Sequence, residues 1–460
     1  MLKRAFRKIA PGFAINLYHY LMALLAAARY RWPSKRMIVI GVTGTSGKST
    51  TCFFLSRLLE ASGAKVGMAS TIYFKIGEKE WLNDKKMTMV GRFQLQKLLA
   101  DMRDAGCRYA IVETTSEGVK QSRHRGIMYD VVVFTNLYPE HIESHGSFEK
   151  YQQAKGRLFQ HLTHWSPKVL DGEIVPRVKV VNIDDEYAEY FLSFASDHTY
   201  GYGLYGDGFD FLDGVTEPVI PVMSRDLQFH KKVAMFTVNG VEFKLKVLGG
   251  FNVYNALAAI SVGYSQNIPL PVLAKALERI RHIPGRIERI EEGQPYTVIV
   301  DYAFEPRALE KLYEAVESSI PHKRIIHVMG ATGGGRDVHK RPTTGALVSE
   351  RADVVIVTNE DPYDDDPVQI IEDVALGAES VDAGRRAEVH RILDRREAIR
   401  FAIDTAEDGD LVLITGKGSE QAMVVSGQLV PWDDRKEARQ AISARRRATM
   451  EVPYFKQEKA

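Results

Sequence analysis

One ten-residue stretch narrows the folds open to this chain more than any other: Gly41-Val-Thr-Gly-Thr-Ser-Gly-Lys48-Ser49-Thr50. It follows a continuous apolar run, Met37-Ile38-Val39-Ile40, and precedes a helical pattern of Phe53, Phe54, Leu55, Leu58 and Leu59. Strand, glycine-rich turn and helix in that order make an anion cradle. Glycine lets the backbone wrap closely round phosphate oxygens, and a helix N-terminus presents unpaired N–H groups. Thr43, Gly44, Thr45, Ser46, Gly47 and Thr50 line the cradle. Lys48 is placed to reach terminal phosphates, and the Ser49 hydroxyl to meet magnesium. The general phosphate-loop spacing asks for glycine where Val42 stands; the form T-G-T-x-G-K-[ST] fits instead.

Further buried strands are predicted at Tyr109 to Val112, Val131 to Phe134 and Lys179 to Asn182, with helical stretches between them. Strands alternating with helices imply a mainly parallel sheet covered on both faces. From about Val215 to Val247 the pattern changes to short alternating runs, and Asn239-Gly240 between two of them is a hairpin signal. Gly249-Gly250 then opens a helix through Asn255 and Ala259. Thr297 to Val300, Ile325 to Met329, Val354 to Val357 and Leu411 to Thr415 read as a second set of parallel strands. The expected fold is α/β, a central phosphate-loop-type parallel sheet domain with a small antiparallel extension, then a Rossmann-like C-terminal domain. The expected division is residues 1–36, 37–282 and 283–460. The tail after Asp433 is charged and helical and reads as a solvated face.

A net charge of +2 is too small for a nucleic-acid binder. Two cysteines, Cys52 and Cys107, exclude a disulfide framework and suit a reducing, cytoplasmic setting. At the N-terminus Lys3, Arg4, Arg7 and Lys8 precede an apolar stretch from Phe13 to Ala28, and Arg29, Arg31, Lys35 and Arg36 follow it. Asn16 and His19 interrupt that stretch, which falls short of the ~20 residues a spanning helix wants. Three readings stand: a helix packed on the protein's own body, an interfacial helix making peripheral membrane contact at an anionic leaflet, or a span.

Glu113 ends a predicted strand, ahead of Thr114-Thr115-Ser116, and so points into the crevice of an open sheet. Phe134-Thr-Asn-Leu-Tyr-Pro-Glu140-His141 follows the next strand, then Tyr151-Gln-Gln-Ala-Lys155-Gly-Arg-Leu-Phe159. Together with the phosphate loop these segments resemble the Mur ligases, ATP-dependent amino-acid ligases of peptidoglycan precursor synthesis. The likeness runs in order from about Met37 to Arg435 and is greatest to the members that add the third stem-peptide residue. By that resemblance Glu113 binds one magnesium ion with Ser49. His141 binds a second, with Lys155 carbamylated so that a cation becomes an anionic ligand. Glu140 stands where the family has aspartate.

Asn252 and Asn255, in Gly250-Phe-Asn252-Val-Tyr-Asn255, are implied nucleotide contacts. So are Arg286, in Pro284-Gly-Arg286-Ile-Glu288, and Asp301, in Asp301-Tyr-Ala, where Phe304 replaces a histidine. Thr88, Thr115, Gln121 and Arg123 match positions for a muramyl-peptide acceptor. Arg341, in the segment Gly330 to Pro342, matches a contact to the incoming amino acid. Glu360 and Asp361, in Asn359-Glu-Asp-Pro-Tyr363, lie where diaminopimelate enzymes carry D-N-P-R, so the arginine that would pair with a substrate carboxylate is missing. Gly416 and Glu420 belong to Gly416-Lys-Gly-Ser-Glu420, with serine for histidine. The amino acid is left open. About 36 residues precede the first strand, too few for the uridine-gripping domain of the tripeptide-forming members, which opens the alternative of a lipid-linked or other glutamyl acceptor. The implied reaction is amide formation through an acyl phosphate. Rival readings are a folylpolyglutamate-synthase-like enzyme, opposed by the Glu113 and Gly330–Pro342 segments, and a non-catalytic, membrane-associated ATP-binding subunit, opposed by the intact Lys48, Glu113, His141 and Lys155.

Overall fold

The computed structural model describes residues 12–140, 142–204, 218–230, 233–335 and 338–451. His141, the basic residues Lys3, Arg4, Arg7 and Lys8, and Arg336 and Asp337 of the Gly330 to Pro342 segment lie outside them. The chain divides into two compact units, Met1–Arg281 and His282–Ala460.

The first unit is built on an eleven-stranded sheet. Its strands are β1 (Ile38–Thr43), β2 (Val66–Ala69), β3 (Tyr73–Ile76), β4 (Lys79–Leu82), β5 (Tyr109–Glu113), β6 (Val131–Phe134), β9 (Val178–Asn182), β10 (His198–Leu204), β11 (Val219–His230), β12 (Val233–Val238) and β13 (Val241–Leu245). The short hairpin of β7 (Val169–Leu170) and β8 (Glu173–Ile174) lies apart from it. The order is β13-β12-β11-β10-β9-β6-β1-β5-β2-β3-β4. The run from β2 to β11 is parallel, and antiparallel strands close both edges. β1, β5, β6 and β9 are buried along their whole lengths, as strands covered on both faces must be. The Asn239-Gly240 turn joins β12 to β13 with φ of 47° and 79°, the doubly left-handed turn that matches strand twist.

The sequence crosses from β5 over β1 to β6, so β1 has neighbours on either side that come later in the chain. That is a topological switch point, where the carboxyl ends of the strands open a crevice. The phosphate loop leaves β1 there, and Glu113 ends β5 at the same edge. The core beneath gathers Val39, Val112, Phe134, Leu158, Phe159 and Phe191 from strands and helices alike.

The second unit holds a six-stranded sheet, β14 (Glu288–Arg289), β15 (Thr297–Val300), β16 (Ile325–Met329), β17 (Val354–Thr358), β18 (Glu388–Ile392) and β19 (Leu411–Ile414), in the order β14-β15-β19-β16-β17-β18. All pairs but β14–β15 are parallel. One expectation is corrected here. The C-terminal helix Asp434–Glu451 is not a solvated element throughout, since Ala438 and Ile442 are wholly buried in this unit's core. Asp434 is also buried, paired with Arg395 at 2.7 Å. The small residues at helical spacing form a narrow apolar stripe that the many charges around it conceal.

Candidate active site

The phosphate loop depends on backbone that only glycine adopts without strain. Gly47 has φ of 77°, and a Cβ there would stand 2.3 Å from Asn255 Oδ1. The loop is braced from β6. Asn136 Oδ1 accepts from Ser46 N at 2.9 Å, Thr135 Oγ1 donates to Ser46 O at 2.7 Å, and Thr45 N donates to Asn136 O. Thr43 and Thr50 are buried on either side of the turn, at the end of β1 and in the helix Lys48–Glu60.

Two expected metal ligands meet. Ser49 Oγ donates to Glu113 Oε1 at 2.9 Å, and Glu113 is buried. An unexpected neighbour fixes the carboxylate: Thr71 N donates to Glu113 Oε2 at 2.7 Å, and Thr71 Oγ1 lies 3.1 and 3.0 Å from the two oxygens. Thr71 Oγ1 also lies 2.8 Å from Thr88 Oγ1. One hydroxyl therefore links the Glu113 carboxylate to a candidate acceptor contact. Nothing in sequence marks Thr71, a lone threonine between two short strands.

Lys155 comes to the same loop. Its Nζ donates to Gly44 O at 2.5 Å, and Lys48 Nζ donates to that carbonyl at 3.0 Å and to Thr45 O at 2.8 Å. Burial first, and then the nearby Lys48 charge, push the Lys155 ammonium well below its ordinary pKa, favouring the neutral amine. Tyr151 stands beside it, its hydroxyl 3.1 Å from Thr45 Oγ1 and its ring centroid 4.5 Å from Lys155 Nζ. Glu140 is buried at the end of the 135–140 segment.

Of the acceptor candidates, Thr88 reaches Glu113 through Thr71, and Arg123 links Gln121 to Met89, the residue after Thr88. Thr115 caps the helix Ser116–Lys120 by accepting from Gly118 N. Arg123 donates to Met89 O and, at 2.8 Å, to Gln121 Oε1. Gln121 Nε2 reaches Glu117 at 2.7 Å. On the other side, Asn255 accepts weakly from Thr51 Oγ1 at 3.4 Å and donates to Asn252 Oδ1 at 3.0 Å, so both asparagines sit at the start of the phosphate-loop helix.

The second unit brings its candidates into two clusters. Asp301 accepts from Ile287 N at 2.7 Å and Ala303 N at 2.6 Å, and Arg286 lies 4.2 Å over the Tyr302 ring. Burial raises the Asp301 pKa despite the opposing Arg286 charge. Lys417 donates to both oxygens of Asp361, at 2.9 and 3.0 Å, and pairs with Glu420 at 2.7 Å. Gly416 is required beside Glu360, since a Cβ there would stand 2.3 Å from Glu360 Oε2. That oxygen is buried with no hydrogen-bond partner. Burial, then the neighbouring Asp361, push the Glu360 carboxyl up to about 7. Arg341 is spoken for within the chain: it pairs with Asp373 at 2.9 Å and lies 3.5 Å from Asp365.

The donor set suits a hard cation. Magnesium takes one or two carboxylates and fills its remaining positions with phosphate oxygens and water, and Ser49 with Glu113 supplies that share. Among the described residues no cluster of three or more histidines, cysteines and acids is arranged to hold a metal by itself.

Two family descriptions match: the Mur ligase middle domain over residues 42–263, and the Mur ligase, glutamate ligase domain over residues 285–418. The UDP-N-acetylmuramyl-tripeptide synthetase of Roseiflexus sp. (strain RS-1) is 39% identical over 443 residues, which is 94% of this chain and 84% of that protein. The UDP-N-acetylmuramoyl-L-alanyl-D-glutamate--2,6-diaminopimelate ligase of Geobacillus kaustophilus (strain HTA426) is 34% identical over 437 residues, 92% of this chain and 82% of that one. A solved diaminopimelate ligase of the same description is similar with a TM-score of 0.56 at 29% identity, covering 89% of this chain and 79% of its own. Folylpolyglutamate synthase from Mycobacterium tuberculosis shares the fold, with a TM-score of 0.62 at 16% identity over 87% of this chain and 96% of that one. The order of the two matched domains, the loop between β1 and its helix, and the identity carried along nearly the whole length agree, and the chain belongs to the Mur ligase family.

Proposed function

We propose that the chain is an ADP-forming ligase that joins an amino acid to the carboxylate of a muramyl-dipeptide-type acceptor by way of an acyl phosphate, in the cytoplasm. The observation that carries this reading is the convergence of Lys48, Ser49, Glu113 and Lys155 on one loop at the switch point of the sheet. ATP is bound by residues 37–282 and the amino acid by residues 283–460. Loop N–H groups and Lys48 hold the phosphates and offset charge developing on the transferred group. Magnesium, held by Ser49 and Glu113, supplies Lewis-acid stabilisation of that charge when bound. Asn252 and Asn255 keep the loop helix against the nucleotide. Arg286 and Asp301 are the nucleotide contacts of the second unit. Thr88, Thr115, Gln121 and Arg123 orient the acceptor so that its carboxylate faces the γ-phosphate. Arg341, Glu360, Asp361, Gly416 and Glu420 form the amino-acid site.

Lys155 acts as a carbamate. Its neutral amine adds to carbon dioxide, an N–C bond forms and a proton leaves to solvent; the anion produced, together with His141, would hold a second magnesium ion. Residues 1–36 make a peripheral contact with the membrane.

Mass spectrometry after incubation with ATP, magnesium, UDP-muramyl-dipeptide and mixed amino acids tests the reaction. The expected product is the acceptor plus one amino acid less water, formed in step with ADP. A chain that binds ATP and forms no product with any glutamyl acceptor is instead a scaffold. Lys155→Ala at full rate, with or without bicarbonate, removes the carbamate.

A further inference from the structure

The helix Gly12–Arg29 carries no acidic residue and no lysine or arginine before Arg29. At 100° per residue, His19, Ala23, Ala26 and Ala27 fall on one arc, and all four are buried. Gly126 meets that arc, with only 2.8 Å from where its Cβ would be to Ala27 Cβ. The opposite arc is also apolar. Phe13, Leu17, Leu21 and Leu25 form an i, i+4 row with 74%, 53%, 50% and 52% of their surfaces exposed, and Tyr18 and Tyr20 flank it. A surface helix ordinarily turns its charges outward; this one turns leucines outward, and such a face marks a contact with something apolar.

The setting says what that is. Arg29, Arg31, Lys35 and Arg36 follow the row and are exposed, and the first acidic residue of the chain is Glu60. Beyond the helix, a cleft of about 430 Å³ includes Arg36, Arg103 and Arg108, with Asp104 and Asp171, in its lining. Arg103 Nη1 donates to Tyr30 O at 3.0 Å and so joins the cleft to the helix. Arg103 and Arg108 are paired with Asp104 and Asp171, and Arg36 leaves the cleft with excess positive charge. Arg36 lies just before β1 and Arg108 just before β5, at the amino edge of the sheet, whereas the phosphate loop and Glu113 lie at the carboxyl edge. A body seated at the amino edge leaves the reacting groups open.

We infer that this apolar arc and the arginine cleft beside it dock the chain on an anionic phospholipid surface, the leucines entering the acyl boundary and the cleft taking a headgroup phosphate. This extends the peripheral contact proposed above and is independent of the ligase chemistry. No helix among the described residues is long and apolar enough to cross a membrane, so this one lies in the interface plane. Apolar faces flanked by basic residues partition to anionic leaflets, where each cation adds attraction. A second copy is the poorer occupant, because it would bring an equally basic flank against this one.

Flotation of the purified full chain with phosphatidylcholine vesicles, with and without phosphatidylglycerol, tests the inference. The chain is expected to float with the anionic vesicles and to stay behind with neutral ones. L17E/L21E abolishes flotation, and R36E/R108E weakens it about tenfold or more as two attractions become repulsions. ADP release by both variants without vesicles, at the parent rate, shows that they fold and keeps the ligase reading separate. A parent chain that floats with neither vesicle overturns the inference, as does L17E/L21E floating like the parent. A dimer abolished by L17E/L21E with no flotation of the parent assigns the face to a second copy instead.

Discussion

Thr71 shows how a single hydroxyl sets a site. Glu113 receives two donors from that residue, and the same oxygen faces Thr88. Removing a group that orients a metal ligand commonly costs ten- to a hundredfold in metal affinity. Thr71→Val is expected to raise the magnesium concentration needed for half-maximal ADP release by about tenfold or more. Thr71→Ser should restore most of it, because the hydroxyl returns. Equal loss in both variants would point to packing rather than orientation. Glu360 carries a pH signature. Its carboxyl is raised from 4.5 to about 7 in the folded chain, so between those values the folded state binds more protons than the unfolded one. The stability this contributes is complete below pH 4.5 and is lost as pH rises through 7. At 1.36 kcal/mol per unit it amounts to on the order of 3 kcal/mol. Urea midpoints of the second unit should therefore fall across that window, and E360Q should flatten the fall. Lys48, Ser49 and Glu113 stood out in the sequence, because loop spacing and a strand end mark them; Lys155 reads by itself as an ordinary helix-surface lysine, and only the family resemblance singled it out. Thr71 and the orphaned Glu360 oxygen were not legible, because neither has a local pattern; both arise from segments far apart in the chain.

Among the elements, β1 and the strands beside it were readable because full burial on both faces leaves an unbroken apolar run. The antiparallel strands β3 and β4 were not, since their short sequences mix polar with apolar residues as a loop does. The turn at the start of the phosphate-loop helix has no slack. Gly47→Ala combines a left-handed φ, worth roughly 1–2 kcal/mol for any L side chain, with the collision at Asn255. Nucleotide affinity measured by calorimetry is expected to fall more than about tenfold, the factor that 1.4 kcal/mol represents. Unchanged affinity would show that the loop takes another shape when it binds. The C-terminal helix teaches the reverse lesson. Its charge hides Ala438 and Ile442, which burial alone reveals as core.

For the molecule, each unit has its own sheet and core, so ligands report on the unit that binds them. ATP with magnesium at a hundred times its Kd should stabilise the first unit by about 2.7 kcal/mol, seen as a rise in its unfolding midpoint. K48A should remove that rise; a rise that survives would move the nucleotide elsewhere. The sequence by itself determined the α/β architecture and the phosphate loop, because periodicity and glycine placement are local and dictated by backbone geometry; the family was readable only through the resemblance of its ordered segments to known ligases. Tertiary structure alone decided that Lys155 would be buried beside Lys48 with its pKa pushed down, that Thr71 would hold Glu113, and that the leucines of the first helix would face outward. Those depend on which surfaces meet, and burial and the electric field at a side chain are properties of its neighbours in space.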